Sequence, residues 1–170
     1  AALEYCIRKM WLAYKGERIV GRIQAIVNPR YNEFYSLKRV RFGWFDFEED
    51  IEVARALLDA AKAWGREQGM TQVHGPLFYN TLGKQGMLVE GFENTPPYNC
   101  IYNFPYYVDF MQRLGFEKET DWVQYKLNAS QGAPEKLQRL SGILMRKYNL
   151  RLLDLKEVKG EFKEELIGKF

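Results

Sequence analysis

The chain has 170 residues, enough for one substantial core, and its 46% hydrophobic and 28% charged residues are typical of a globular domain. A net charge of +3 is too small to indicate nucleic-acid binding by itself. The sequence contains no apolar run of membrane-spanning length and no recognisable signal peptide. Its two cysteines, Cys6 and Cys100, lack the spacing of a metal site. We therefore expect a reduced, cytoplasmic protein, with one disulfide as the open alternative.

Charge is distributed unevenly along the chain. Residues 1–42 carry nine Lys and Arg against three Asp and Glu, whereas residues 43–67 carry three against seven. A basic hairpin beside an acidic helix start is most simply a solvated surface. Because basic and aromatic side chains together grip phosphates and stack on bases, nucleic acid stays a minor alternative. The residues concerned are Arg8, Lys9, Arg22, Arg30, Lys38, Arg39 and Arg41, with Tyr31, Phe34 and Tyr35.

The first predicted element is a β-hairpin. It covers CIRKMWLAYKGERIVGRIQAIVN and turns at Lys15-Gly16-Glu17. In its second arm we expect Ile19, Ile23 and Val27 to share one face, because side chains of a strand alternate. A loop is predicted over NPRYNEFYSLK, where Asn28-Pro29 and polar residues interrupt the alternation.

A central strand and a long helix follow. The strand is predicted over VRFGWFDF, which is apolar on both faces, and Gly43 within it indicates a bulge or a close backbone approach. From Glu48 to Gly69 the period becomes helical, with an apolar stripe opposite a charged face. The stripe consists of Ile51, Ala54, Leu58 and Ala61, widened by Leu57 and Trp64.

The remaining elements set the domain organisation. We predict a short strand at MTQV, a helix over FPYYVDFMQRLGF and a strand over DWVQYKL. Helices between strands, plus one hairpin, predict an α/β domain with a mixed sheet (α+β) over residues 1–128. Residues 129–149 form a linker with one helix, and residues 150–170 combine a strand-like LRLLDL with a helix start. This last segment opens a second module or is an extension that packs on the first domain.

The element order resembles that of the GCN5-related N-acetyltransferase (GNAT) superfamily over Tyr5 to Leu127, with FMQRLGF as the helix end before the closing strand. Gly75-Pro76, GMLVEGF and YNFPYY resemble a bacterial branch of acetyltransferase-like proteins. The resemblance implies a GNAT-like acyl-CoA N-acyltransferase fold, with a mostly antiparallel sheet, one splayed parallel pair and flanking helices. It also implies that residues 150–170 are similar to the start of a second GNAT-like repeat.

The resemblance implies an acyl-CoA site, with acetyl-CoA or another acyl-CoA as donor and a small-molecule amine as acceptor. The pantetheine would pair with strand backbone at Phe45, Asp46 and Phe47, and the diphosphate would lie on the amides of the next helix start. Asn80, Tyr106 and Tyr107 are the candidate catalytic side chains around this cleft, with a carboxylate such as Glu90 or a water as general base. No membrane partner is expected.

Two positions depart from the family pattern. The turn after the central strand reads FDFEEDIEVA, so carboxylates replace the usual arginine or glutamine and spaced glycines. Counting four residues back from Gly115 reaches Met111, where the family often has a tyrosine. A non-catalytic GNAT-like binding module is therefore the main alternative, and an aminoacyl-tRNA-dependent transferase is the minor one.

The segment HGPLFYNTLGKQGMLVEGF contains the single histidine and four glycines. It lacks the GxxxxGK[ST] phosphate-loop pattern, because Gln85 follows Gly83-Lys84. We predict a loop that folds across the cleft as a lid. His74, Glu90 and Glu93 do not have the spacing of a metal site, so no metal is predicted.

Overall fold

The computed structural model describes residues 2–79, 83–98, 100–128, 132–154 and 156. The chain divides into two compact units, Ala1–Thr120 and Asp121–Phe170. In the first unit the strands are β1 Ile7–Lys15, β2 Arg18–Val27, β3 Arg39–Phe47 and β4 Gln72–His74. Its helices are α1 Ala2–Tyr5, α2 Pro29–Phe34, α3 Ile51–Glu67 and α4 Tyr106–Arg113. The second unit contains α5 Glu135–Lys147.

The predicted hairpin is confirmed. Strands β1 and β2 pair antiparallel from Ile7 opposite Val27 to Lys15 opposite Arg18, and Gly16 takes the positive φ of +60° that the turn requires. The expectation for Ile19 is wrong, because its side chain is 54% exposed. The pairing shifts by one residue between Ala13 and Tyr14, which places Val20 instead of Ile19 in the core.

The predicted loop over NPRYNEFYSLK contains a short helix, α2, and that prediction is therefore wrong in part. The Asn28 side chain caps the helix, since its oxygen accepts a hydrogen bond from the Tyr31 amide at 3.0 Å. Pro29 stands in the first turn, where its missing N–H has no cost. Both are helix-start signals, and the polar composition of the segment concealed them.

Strand β3 is central, with β2 antiparallel on one side and β4 parallel on the other. Both expectations for Gly43 are met. The β2 register shifts between Gly43 and Asp46, where Trp44 adopts φ +45° at a bulge. A Cβ on Gly43 would also lie 3.0 Å from the Leu77 carbonyl oxygen, so another backbone segment approaches closely.

The parallel pair of β3 and β4 is short. It runs from Arg39 opposite Gln72 to Arg41 opposite His74, and the Leu77 amide then donates to the Phe42 carbonyl at 2.7 Å. Beyond that bond the register with β4 ends, while β3 continues to Phe47. The predicted α+β mixed sheet is confirmed, and the narrower assignment to the GNAT fold stays a prediction.

Helix α3 covers one face of the sheet and supplies much of the core. Its predicted stripe is buried apart from Ile51, which is partly exposed, and Val53 is buried in addition. Trp64 packs edge-on against Trp11 of β1, with ring centroids 6.2 Å apart. Gly65 faces Val40 of β3 so closely that helix and sheet meet without an intervening side chain.

In the second unit the prediction of a strand over DWVQYKL is wrong. Residues 121–128 form no strand, and Trp122, Tyr125 and Leu127 are 76%, 83% and 86% exposed. A segment with alternating apolar and polar residues forms a strand only where a neighbouring strand supplies hydrogen bonds. The described residues of this unit include no strand. The strand predicted at LRLLDL is likewise absent over 151–154, and the helix start at 160–170 lies outside the described residues.

The close approach of Gly65 to Val40 generates a test. A Cβ at Gly65 would lie 2.6 Å from Val40 Cγ1, so Gly65→Ala forces the buried valine to move. Overpacking costs about 1–3 kcal/mol, which exceeds the gain of about 1 kcal/mol from alanine in a helix. We expect urea unfolding to give a lower free energy of unfolding for Gly65→Ala.

Gly142 on α5 provides the matched control. A Cβ there would meet nothing within 4 Å, so Gly142→Ala should leave stability unchanged or raise the helix content seen by circular dichroism. In a double-mutant cycle, Val40→Ala should reduce the cost of Gly65→Ala. Stabilisation by Gly65→Ala alone would contradict the packing described here.

Candidate functional site

An open cleft of about 650 Å³ lies where β3 ends and the chain turns into α3. One wall comes from the ends of β2 and β3, and the other from the segment that leads into α4. The lining residues are 19–22, 46–49, 102–104, 106 and 107. Four of the six site residues predicted from the sequence therefore line the cleft. They are Asp46, Phe47, Tyr106 and Tyr107.

The candidate catalytic tyrosines contact the candidate cofactor-binding strand directly. The Phe47 amide donates to the Tyr107 hydroxyl oxygen at 3.1 Å, and the Tyr106 hydroxyl donates to the Phe47 carbonyl at 2.8 Å. The Tyr107 ring also packs on the Phe47 ring, with centroids 4.2 Å apart. The two tyrosines thus occupy both backbone hydrogen-bonding groups at the end of β3.

The other predicted site residues have different surroundings. The Phe45 side chain is 7% exposed and packs edge-on against Phe42, so it belongs to the core. Asp46 is exposed and accepts a hydrogen bond from Arg22 Nε at 2.6 Å. Asn80 lies outside the described residues. Met111, at the position of the family tyrosine, is 7% exposed and belongs to the core.

The acidic turn is neutralised by the basic hairpin. Arg18 forms a two-contact ion pair with Glu48, and Lys15 Nζ lies 2.5 Å from Asp50 Oδ2. The hydrogen bond from Lys15, followed by that from the Glu52 amide, lowers the pKa of Asp50. The charge asymmetry of the sequence is therefore a set of ion pairs between neighbouring strand ends.

Glu49 is the exception at this turn. Its side chain is exposed, lines the cleft and makes no ion pair with any described residue. Burial, followed by the Tyr107 hydroxyl and the Glu49 carboxylate, raises the pKa of Tyr106 to about 12. Tyr106 accordingly keeps its proton at neutral pH and acts as a hydrogen-bond donor.

The start of α3 does not fit the diphosphate of a CoA molecule. The Asp50 side chain already accepts from the Glu52 amide at 2.9 Å, and Glu49 adds a carboxylate without an ion pair to any described residue. Like charges a few ångströms apart repel by about 1 kcal/mol or more even in water. Nor does the Phe47 backbone offer a vacant donor or acceptor for pantetheine, because the two tyrosine hydroxyls use both groups.

The single histidine belongs to a separate polar cluster at the end of β4. His74 Nε2 pairs with the Glu119 carboxylate, and Arg39 Nη2 lies 3.1 Å from the other oxygen of that carboxylate. Burial, opposed by Glu119 and assisted by Arg39 and Arg41, lowers the pKa of His74. Sequence reasoning missed Glu119, since nothing in its local pattern links it to a residue 45 positions earlier.

The loop predicted as a lid folds back on its own start. The Gly86 amide donates to the Pro76 carbonyl at 2.8 Å. The buried Asn103 side chain then accepts from the Leu88 amide at 2.7 Å and donates to the Leu88 carbonyl at 3.1 Å. None of the described loop residues 75–79 and 83–92 lines the cleft, so their placement does not support a lid over it.

Several residues of the basic and aromatic set have intramolecular partners. Arg41 is 6% exposed, donates to the Phe78 and Tyr79 carbonyls and stacks over the Tyr31 ring.

Within the described ranges, no three His, Cys, Asp or Glu side chains form a metal-sized cluster. No helix in the described part of the chain combines the length and apolar character needed to cross a membrane.

Comparison with known proteins gives two curated relatives. Protein YghO of Escherichia coli (strain K12) is 34% identical over 125 residues, which cover 71% of this chain and 32% of the relative. The bacterial ceramide synthase of Caulobacter vibrioides (strain NA1000 / CB15N) is 31% identical over 156 residues, covering 86% of this chain and 40% of the relative. No family model and no solved structure matches. The chain thus spans about a third to two fifths of the length of these relatives.

The tyrosine contacts with Phe47 predict an order of stabilities. Tyr107→Phe leaves the buried Phe47 amide without its acceptor and should cost about 1–3 kcal/mol. Tyr106→Phe should cost less, about 0.5–1.5 kcal/mol, because Tyr107 still reaches the Phe47 carbonyl at 3.4 Å. Urea unfolding measures both. Tyr102→Phe is the control, since its hydroxyl makes an exposed bond to Phe92, and the reverse order would contradict these assignments.

His74 predicts a pH dependence of stability. Its pKa in the folded chain lies below the ordinary 6.5, so the unfolded chain binds the proton more tightly. Its contribution is complete above about pH 6.5 and decreases as the pH falls through the folded-state pKa. The Tm of the wild type relative to that of His74→Gln should therefore decrease when the pH is lowered from 8 to 5.

Glu119→Gln provides the control for this titration. The Glu119 carboxylate opposes the fall in the pKa of His74, so its removal should increase the loss of Tm on acidification. A wild type that gains stability relative to His74→Gln in acid would refute the assigned direction.

Proposed function

We propose that this chain is part of an N-acyltransferase of the GNAT type, which moves an acyl group from an activated donor to an amine. The observation that carries the proposal is the similarity to the bacterial ceramide synthase, which extends over 86% of this chain. A ceramide is the amide of a fatty acid and a long-chain amino alcohol. A synthase of that name makes an amide from an amine and an acyl group, and we extend this reaction class to the present chain.

The cleft at the end of β3 supports the proposal by its chemistry. Amide formation requires that the amine lose a proton before or during attack on the acyl carbonyl and that the leaving group be displaced. Glu49 is an exposed carboxylate in the cleft that can accept that proton directly or through water. The pKa of Tyr106 is raised to about 12, so Tyr106 keeps its proton at neutral pH. Its hydroxyl donates to the Phe47 carbonyl in the wall of the cleft.

Acyl-CoA is the donor we propose, as the GNAT resemblance implies. The described residues at the start of α3 do not fit its diphosphate, so we assign no step of the reaction to a CoA molecule bound there. The two curated relatives are more than twice as long as the aligned region.

A non-catalytic binding module is the second candidate. The observation that favours it is the engagement of Tyr106 and Tyr107 with the Phe47 backbone, which gives both hydroxyls a structural role. Met111 also has no proton to donate at the position of the family tyrosine. Under this alternative the cleft binds a ligand and no amide forms.

The protein that contains this chain should convert palmitoyl-CoA and sphinganine to an amide, with thiol release in equal amount, because both the bond formed and the group displaced are fixed by the proposed reaction. Mass spectrometry measures the amide, and a thiol reagent measures the released CoA. N,N-dimethylsphinganine is the matched control, since a tertiary amine forms no stable amide. A folded protein that acylates no primary amine would favour the non-catalytic module.

Tyr106→Phe separates the two roles of the tyrosine. If its hydroxyl transfers a proton in the reaction, kcat should fall by about 10²–10⁴-fold. If it only fixes the end of β3, stability should decrease while kcat stays within a few-fold of the wild type.

A further inference from the structure

We propose that the cleft at the end of β3 binds the ammonium group and the adjoining apolar chain of the amine acceptor, with Glu49 as the counter-ion. The inference rests on the proposed acyl transfer to an amine and adds which substrate occupies this cleft and what kind of amine it is. The ligand class is a primary alkylammonium ion that carries a hydrocarbon chain.

The distribution of charge in the cleft selects a cation. Asp46 and Glu48 line the cleft but are paired with Arg22 and Arg18. Glu49 lines the same cleft without an ion pair to any described residue, so its charge is available to a ligand. An ammonium N–H donating to a carboxylate is a charge-assisted hydrogen bond, roughly twice as strong as a neutral one.

The basic side chains near the cleft are poor receptors for an anion. Arg22 Nε lies 2.6 Å from Asp46, and Arg18 contacts both carboxylate oxygens of Glu48. A phosphate or carboxylate ligand would have to compete with Asp46 or Glu48 for a guanidinium group and approach Glu49 at the same time. The same cleft therefore discriminates between an alkylamine and its carboxylate counterpart.

Apolar surface adjoins the unpaired carboxylate. The side chains of Ile19, Tyr102 and Phe104 line the cleft and remain 54%, 45% and 59% exposed. The rings of Phe104 and Tyr106 are stacked, with centroids 5.7 Å apart and planes 13° apart. These flat faces can pack against a hydrocarbon chain, and aromatic faces also attract an ammonium group.

The position of Glu49 relative to these rings defines the fit. A smaller depression beside the main cleft is lined by Glu49, Phe104, Pro105 and Tyr106, so carboxylate and aromatic walls bound one space. A ligand that places its ammonium group against Glu49 can lay its chain along Phe104 towards Tyr102 and Ile19. A short amine would use only the first contact, and affinity should increase with chain length because each buried methylene contributes.

Binding of n-octylamine to the purified chain tests the inference. At pH 7 it is an alkylammonium ion, whereas n-octanol is neutral and octanoate is an anion of the same length. We expect n-octylamine to bind at least 10-fold more tightly than either, measured by NMR chemical-shift perturbation, with shifts concentrated at residues 47–49 and 102–106. Ethylamine should bind more weakly than n-octylamine.

Two variants locate the charge. Glu49→Gln keeps the shape of the side chain and should weaken n-octylamine binding about 10-fold while leaving n-octanol unchanged. Glu52→Gln is the matched control, because Glu52 lies on the same turn but pairs with Arg55 at 3.3 Å and does not line the cleft. Phe104→Ala should reduce the difference in affinity between n-octylamine and ethylamine.

The inference is overturned if octanoate binds as tightly as n-octylamine, or if Glu49→Gln binds n-octylamine like the wild type. The amide-forming assay then separates this failure from failure of the proposed function. Amide formation with an unchanged KM for the amine in Glu49→Gln refutes the site but keeps the transferase. Glu49-dependent binding without amide formation supports the site and refutes the transferase.

Discussion

The cleft of the first unit depends on how β3 ends. A central strand that outlasts its parallel neighbour exposes an amide and a carbonyl at its edge, and burying such groups without partners is costly. Tyr106 and Tyr107 supply those partners to Phe47 from the first turn of α4. Because both hydroxyls converge on one residue, they fix α4 and the segment before it against the sheet. That attachment creates the aromatic wall opposite Glu49.

Electrostatics at the same strand end distinguishes paired charges from one unpaired charge. The hairpin presents Lys15, Arg18 and Arg22 to Asp50, Glu48 and Asp46. Exposed ion pairs of this kind contribute little to stability, typically about 0–1 kcal/mol each. Their consequence here is local neutrality around Asp46, Glu48 and Asp50, whereas Glu49 has no ion pair to any described residue. The unpaired charge of Glu49 and the capped start of α3 make this turn a poor place for a diphosphate.

The similarity to a bacterial ceramide synthase covers 40% of that relative, and an amine substrate for this chain is a proposal. The structure separates two features that the GNAT resemblance combines. The short parallel pair of β3 and β4 is present, whereas the helix start that follows β3 carries carboxylates. The fold of this chain therefore does not by itself identify the ligand of its cleft.

Local patterns in the sequence were sufficient for the hairpin, β3, α3, β4 and α4. Each of these elements has a period or a turn residue that acts within a few positions, such as Gly16 in the hairpin or the apolar stripe of α3. Local signals were insufficient for the strand predicted over DWVQYKL, because a strand requires a hydrogen-bonding neighbour that alternation alone does not provide. The bulge that exchanges Ile19 for Val20 likewise depends on pairing with β1.

The candidate site divides in the same way. The residue types at the site follow from the sequence alone: a carboxylate-rich turn after β3, and two tyrosines at the start of α4. The contacts of these residues follow from the packing of the folded chain: the tyrosines bind the Phe47 backbone, three carboxylates pair with cations of the hairpin, and Glu49 does not. The physical reason is that each of these contacts joins residues from 24 to 60 positions apart, whose distance is set by the packing of the sheet and helices.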